Sequence, residues 1–443
     1  MRTIFSILTL FSLCGAAAQE YTPSYGREAS RGALIAYPTE QEAMAADSTN
    51  NRYLSRLTAW TSTANTFTTA FTVPFAWANR QVLLHLDSAS ADYEVRINGK
   101  AVAYNANGNT PTDFNITRVA KEGRNTLEIV LSTPSRVAPL ESWKEAPTPS
   151  IGGAWLLSQP TLRVRDVLTK TWYGEGEDKD KHDGSDDGSA MAEVALVIQS
   201  NALNPRTSRI HYELLTPSGE TAAAGHKDMT LDMRREDTLR FMARIPSNLL
   251  WSSELPTLYT LRVRTQHEGR YVEYLELHPG FRVVSLHDGQ LSVNRQPVTL
   301  RVRKVPAQIS DNQIAALREQ GYNALQLQTG TIRPTFYDFC DLQGLYVIAP
   351  PLIDTRRSGT SRRIGGNPSN NPAWLAAYLE RTADSYNTTK FHPSVIAFTL
   401  AEKSANGINL YESYLKMKQF GDSRPFIYLD AGGEWNSDRL KLQ

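Results

Sequence analysis

The sequence predicts a multidomain protein of β plus α/β class, with two β-sandwiches followed by a partial (β/α) barrel of TIM type. Three observations predict it. Short alternating runs bounded by turn residues fill the chain up to about Leu286. A Gly-, Asp- and Lys-rich stretch from Gly174 to Ser189 separates two sets of them. From about Gln290 the rhythm changes to strand, helix, strand, the pattern of a parallel sheet. The expected division is a signal peptide over 1–18, a sandwich over 19–167, an immunoglobulin-like sandwich over 168–286 and a barrel domain over 287–443.

Bulk properties agree with that count. A chain of 443 residues suggests about three domains at roughly 150 residues each. A net charge of +1 gives no support for nucleic acid, a polybasic membrane surface or a strongly acidic partner. The N-terminus carries Arg2, an apolar run from Ile4 to Leu13 and then Ala16, Ala17 and Ala18. That is a secretory signal cut after Ala18, which predicts a periplasmic or extracellular protein. Cys14 offers an alternative reading as a lipidation site, but Leu13 precedes it where such signals want a small residue. The run is too short for a permanent membrane helix, and no later segment is long and apolar enough. After cleavage only Cys340 remains, so stability rests on packing and not on disulfides.

In the first sandwich, strands are expected at Phe67–Val73, Val82–Leu86, Tyr93–Ile97 and Thr126–Leu131. Asn98-Gly99 supplies a hairpin turn, because both residues tolerate positive φ. The Gly174–Ser189 stretch reads as a solvated hairpin loop; its oxygen ligands miss the offsets of a calcium loop. Strands at Ala192–Ile198, Arg209–Leu215 and Tyr259–Arg264 fit the second sandwich.

In the last region, strands are expected at Val298–Val302, Ala324–Gln328, Leu345–Ile348, Val395–Leu400 and Phe426–Leu429. Helices are expected at Ser310–Gln320, capped by Ser310 with Gln313 and ended by Gly321, and at Pro334–Gln343, Pro372–Thr388 and Leu410–Gln419. That makes about five strand–helix units, where a closed barrel needs eight.

Several long motifs, in order, resemble glycoside hydrolase family 2, the β-galactosidase family. They include Arg52-Tyr53-Leu54-Ser55, the run Val95 to Lys100, Gly280-Phe281-Arg282 and the run Asp288 to Asn294. More specific is Leu250 to Leu261 (Leu-Trp-Ser-Ser-Glu-Leu-Pro-Thr-Leu-Tyr-Thr-Leu), together with His392-Pro393-Ser394 and the strand after it. The resemblance implies a jelly-roll-like sugar-binding sandwich at the N-terminus, carbohydrate as the ligand and O-glycosyl hydrolysis as the family chemistry.

The departures from the family pattern fall on its site. Lys403 stands where the family places its acid/base Glu, and Glu402 stands where it places Asn. Thr329 holds a His position. Asp354 and Arg356 replace the Glu and His that help hold a magnesium ion. The resemblance therefore implies no metal and no cofactor here. The sequence ends at Gln443, soon after the fifth strand, so the attacking Glu of a later strand is expected to be absent.

Retaining glycosidases need two carboxyl groups about 5 Å apart. Losing the general acid alone costs ~10²–10⁴-fold. Glu402 is the remaining carboxyl candidate. Neighbouring strand residues face opposite ways, so it reads as well as an ion pair with Lys403 or Arg356 at a solvated rim. Asp354 reads as a salt bridge with Arg356 or Arg357. Asp354, Ser404, Asn406 and Trp374 are the candidate sugar-binding residues; Trp374 and Trp435 offer rings for stacking, with buried packing anchors the commoner reading of such rings. The basic pairs Arg356-Arg357 and Arg362-Arg363 read as a solvated loop, with an anionic glycan as the sharper alternative. Three readings follow: a non-hydrolytic carbohydrate- or partner-binding relative, an active exo-glycosidase with relocated acids, and a fragment whose open barrel edge is covered by a second chain.

Overall fold

The structure is a computed structural model that describes residues 21–443 apart from 146, 175–187, 331, 334, 432–435 and 443. The signal segment, most of the Gly174–Ser189 loop and Trp435 lie outside the described residues.

The first sandwich faces a five-stranded sheet, in which Tyr93–Ile97 and Gly123–Leu131 are central, against a four-stranded sheet containing Arg80–Leu86 and Ala154–Pro160. Burial along Tyr93–Ile97 alternates residue by residue, so Tyr93, Val95 and Ile97 enter the core while Glu94 and Arg96 do not. Asn98 and Gly99 take φ of 51° and 77°, the mirror-image turn that suits a two-residue hairpin.

The second sandwich sets Leu162–Trp172, Ala190–Ser200 and Glu236–Ile245 against a sheet of four strands centred on Arg206–Leu215 and Thr260–His267. The strand Leu162–Trp172 pairs with Ala190–Ser200 throughout, so this sheet begins before residue 168, where the sequence suggested a boundary. A small sheet of Val284–His287, Gln290–Val293 and Gln296–Pro297 leads onward.

The last region is an open sheet of five parallel strands in sequence order. They are β1 (Val302–Val305), β2 (Ala324–Leu327), β3 (Tyr346–Ala349), β4 (Val395–Thr399) and β5 (Phe426–Ile427). Between them lie α1 (Asp311–Glu319), α2 (Phe336–Gln343), α3 (Leu375–Thr389) and α4 (Ile408–Lys418). The first strand starts later than the sequence suggested, at Val302. Ser310 and Gln313 form a reciprocal capping box at the start of α1. After α2, Gly344 takes φ of 64°, and a Cβ there would strike the carbonyl of Ser253.

Leu325, Leu327, Val347 and Phe398 pack under the helices. The other face carries Ile348, Ala397 and Ile427, and the segment after β5 folds across it. Asp438 donates its N–H to the Phe426 carbonyl at 2.8 Å, and Leu440 and Leu442, with Val302, pack against those three side chains.

Trp251, fully buried, bolts the second sandwich to the sheet by donating its ring N–H to the Asp341 carbonyl at 2.9 Å. Helix α3 is tied to both sandwiches. Arg381 reaches Glu141 at 2.8 Å, and Lys390 reaches Asp166 at 2.6 Å, all four being buried. No helix among the described residues is long and apolar enough to cross a membrane.

Candidate functional site

The C-terminal end of a parallel sheet is where strand ends and loops converge, and so where this architecture places its chemistry. Here the mouth is built by the residues after β2, β3, β4 and β5. Parallel bridges link Glu141, Asp354 and Glu402, so a segment of the first sandwich extends the mouth beside the β3 and β4 loops. Ser142 donates to the Asp354 carbonyl at 2.9 Å, and Asp354 donates to the Leu140 carbonyl at 2.9 Å.

Glu402 lies at the centre. Its backbone N–H is held by the Ile353 carbonyl at 2.9 Å. One carboxylate oxygen takes a short ionic hydrogen bond from Lys304 Nζ, and the other accepts from Thr329 Oγ1 at 2.8 Å. Burial works to raise this carboxyl, but the bonds from Lys304 and Thr329, with the charges of Lys304 and Lys403, hold it below the usual carboxylate range. The sequence offered Lys403 or Arg356 as the ion-pair partner; the structure puts Lys304 there, because its side chain rises from β1 directly across the mouth.

Lys403 is exposed and adopts φ of 47°, a left-handed value uncommon for a residue with a side chain. Its backbone N–H is captured by Asp430 Oδ2 at 2.6 Å. Asp354 is fully buried, and Arg356 Nε lies 3.0 and 2.8 Å from its two oxygens, with Nη2 closing a tight pair. That bond to Asp354 is also what raises the Arg356 guanidinium. Arg357 instead donates to the Lys144 carbonyl at 3.0 Å.

Ser404 is occupied within its own loop. Its Oγ accepts from the Thr355 N–H at 3.1 Å and donates to the Glu402 carbonyl at 3.1 Å, while Tyr428 Oη donates to its carbonyl. Asn406 is buried, with its carbonyl accepting from Asn370 Nδ2 at 3.1 Å and its side chain from Asn436. Trp374 does not present a sugar platform: it is 4% exposed and packs 5.9 Å from the Tyr21 ring, under the chain that precedes the first sandwich. Of the residues predicted from sequence, Glu402, Lys403, Asp354 and Ser404 therefore meet at the mouth, whereas Asn406 and Trp374 are part of its support.

Sequence reasoning missed Lys304, Glu141 and Asp430. A cation at the end of a parallel strand was a usable signal for Lys304. Glu141 has none, since it arrives from another domain.

The residues at the mouth do not fit the magnesium ion of the family pattern. Asp354 is the ligand type left at that place, and a guanidinium already covers both its oxygens. Away from the mouth, Asp338, Asp341 and His392 lie close enough to share an ion. Asp341 is committed to His392 Nδ1 at 2.7 Å and to the Ser394 N–H at 2.9 Å, which makes it the clasp of the turn before β4.

Two sandwiches lead into a parallel α/β sheet with a polar mouth at its strand ends, a multidomain β plus α/β architecture. Residues 291–441 match the description "Glycosyl hydrolases family 2, TIM barrel domain", and residues 181–282 match "Glycosyl hydrolases family 2". The chain belongs to glycosyl hydrolase family 2. It is 26% identical to a β-galactosidase of Psychromonas ingrahamii over 82% of this chain and 35% of that protein. It is likewise 26% identical to a β-galactosidase of Photobacterium profundum, over 78% of this chain and 34% of the relative. The chain thus spans about a third of the length of these relatives. Among solved structures, the fold is similar to a β-glucuronidase of Bacteroides uniformis, with a TM-score of 0.69 and 15% identity over 90% of this chain and 52% of that one. A β-glycosidase of Bacteroides vulgatus gives 0.64 and 19%, covering 82% and 45%.

Proposed function

We propose that this chain is an exported family 2 protein that binds carbohydrate at the barrel mouth without cleaving it. The observation that carries the reading is the state of Glu402. A general acid must hold a proton at working pH, which calls for a raised carboxyl. Glu402 is instead drawn down by Lys304 and Thr329. An ammonium at Lys403 is adverse to an oxocarbenium-like transition state, because like charges raise its energy. Asp354 is closed off by Arg356, so the mouth has no free second carboxyl at that position.

The exposed donors of Lys304, Arg356 and Lys403 suit the hydroxyl and carboxylate oxygens of a sugar. Export rests on the predicted signal peptide, and fractionation of cells making the full chain tests it. For binding, the purified protein is titrated calorimetrically with methyl β-galactoside and methyl β-glucuronide, and the recovered ligand is analysed. Saturable binding with intact ligand supports the reading; conversion to the free sugar at enzymatic rates sinks it.

A further inference from the structure

A second cleft lies between the two sandwiches, apart from the barrel mouth. It encloses about 820 Å³, within the range of about 300–1,000 Å³ typical of small-ligand pockets. Its walls come from the strand Arg80–Leu86 and the turn after Thr112–Asn115 on one side. On the other they come from the segment after Ala190–Ser200 and the hairpin at Arg234.

The charge of this lining is one-sided. Arg27, Arg80, Arg118, Arg206 and Arg234 face the cleft against one carboxylate, Glu28, and Glu28 is engaged by Arg163 at 2.9 Å. Arg27 is neutralised from behind by Glu380 at 3.0 Å and Asp384 at 3.1 Å. The other four have no carboxylate partner among the described residues. Arg80 donates to the Val272 carbonyl at 3.1 Å and lies 3.8 Å from the centre of the Tyr53 ring. Arg118 reaches only the Met233 sulfur, at 3.6 Å, and Arg206 sits 3.2 Å from His267 Nε2. The guanidinium of Arg234 has no partner among the described residues.

In a chain of net charge +1, this clustering is a local feature and not a consequence of bulk composition. Guanidinium groups gathered without counter-ions repel one another, and a bound anion relieves that repulsion. The backbone at Arg234 points the same way. It takes φ of 62°, a conformation that favours Gly or Asn, and its N–H is pinned to the Ser200 carbonyl at 2.7 Å. A cationic residue therefore occupies a hairpin position where a smaller one is easier. Beside it, Asn201 Nδ2 is buried with no hydrogen-bond partner among the described residues, a donor left for an oxygen from outside the chain.

We propose that this cleft binds an anionic glycan, a short chain of uronate or sulfated sugars. Arg118, Arg206 and Arg234 take its carboxylate or sulfate groups, and Asn201 with the neighbouring amides takes its hydroxyls. Planar guanidinium forks match both anions, and amides pair with sugar hydroxyls. The proposal stands apart from the reading of the barrel mouth, since it uses none of the same residues.

The test is a calorimetric titration of the full chain with tetragalacturonate, a sulfated heparin tetrasaccharide and neutral β-1,4-galactotetraose, at about 50 and about 300 mM salt. The two anionic arms separate uronate from sulfate as the source of charge. Expected is binding of at least one anionic ligand that weakens with salt. The double variant Arg118→Gln/Arg234→Gln should weaken it by at least about tenfold, as should the single variant Arg206→Gln in the same direction. Arg209→Gln, which removes an exposed arginine outside the cleft, should leave it unchanged. Matching thermal melts establish that the variants are folded. Failure of both anionic ligands to bind, equal affinity for the neutral tetraose, or anionic binding that survives the double variant would overturn the proposal. Binding of neutral glycosides at the mouth is read separately, so either reading can fail alone.

Discussion

Lys304 Nζ, at the end of the first parallel strand, is paired with Glu402 Oε1, at the end of the fourth, across the mouth of the sheet. Thr329 holds the second oxygen at 2.8 Å. The two bonds pin the Glu402 carboxylate between β1 and the segment after β2, and with the charges of Lys304 and Lys403 they hold it below the usual carboxylate range.

Removing the cation should release that carboxyl. In Lys304→Met the burial of Glu402 is still opposed by Thr329 and by the charges of Lys403 and Arg356, but its strongest partner is gone, so its titration should move upward from the wild-type value. Carbon-detected NMR of the glutamate side chains, comparing the two proteins from pH 3 to 8, reads this directly. An unchanged Glu402 titration would show that Lys304 does not control it.

Acid should destabilise the fold. Glu141 is buried and Asp113 and Asp422 are half-buried, and the loss of water raises all three, yet they are held low by Lys144 and Arg381, by Arg31 and His85, and by Arg424 respectively, with Asp422 down to about 2. A lowered folded value contributes stability above the unfolded value of about 4, and that stability is lost as pH falls through the folded one. His85 and His392 behave oppositely. Burial lowers them, but Asp113 and Asp341 raise them overall. Their contribution is full below about 6.5 and is lost as pH rises through the folded values. Calorimetric Tm should therefore fall steeply below about pH 4 and drift down above neutrality. A flat Tm between pH 7 and 3 would contradict this.

The Arg381–Glu141 pair should matter more than any surface pair. Both side chains are buried, and Glu141 also accepts from Asn109 at 2.7 Å and pairs with Lys144 at 3.0 Å. Arg381→Met removes one of the two cations on the buried Glu141 carboxylate and leaves Lys144 in place, so a loss of about 1.5–3 kcal/mol is expected in denaturant unfolding. Replacing Arg209 of the exposed pair Arg209–Asp228, which solvent screens, should cost far less.

Leu440 and Leu442 should be needed by the parallel sheet. They pack against Ile348, Ala397 and Ile427 on the face away from the helices. A Leu440→Asp substitution should cost about 1.5–3 kcal/mol and expose an apolar surface that binds a hydrophobic dye. Wild-type stability and dye binding in that variant would mean the segment is not packed there.

Local chemistry made much of this molecule legible. The Asn98-Gly99 turn, the Ser310–Gln313 box and the strand after His392-Pro393-Ser394 each follow from residues within a few positions of one another. The candidate site was legible in part. Glu402, Lys403 and Asp354 sit on loops that the strand pattern places at one end of a sheet. What escaped was long-range. Lys304 and Glu402 meet across 98 positions, and Glu141 reaches Arg381 across 240. Trp374 reads more readily as an anchor than as a platform, and the chain around Tyr21 packed against it makes it an anchor.

The most direct measurement is turnover. Purified full chain is incubated with 4-nitrophenyl β-galactoside and 4-nitrophenyl β-glucuronide near neutral pH, beside Glu402→Gln. An ionised, doubly held Glu402 predicts release of nitrophenol no faster than in the variant. Release at least about a hundredfold above the variant, the usual contribution of a working general acid, would contradict it.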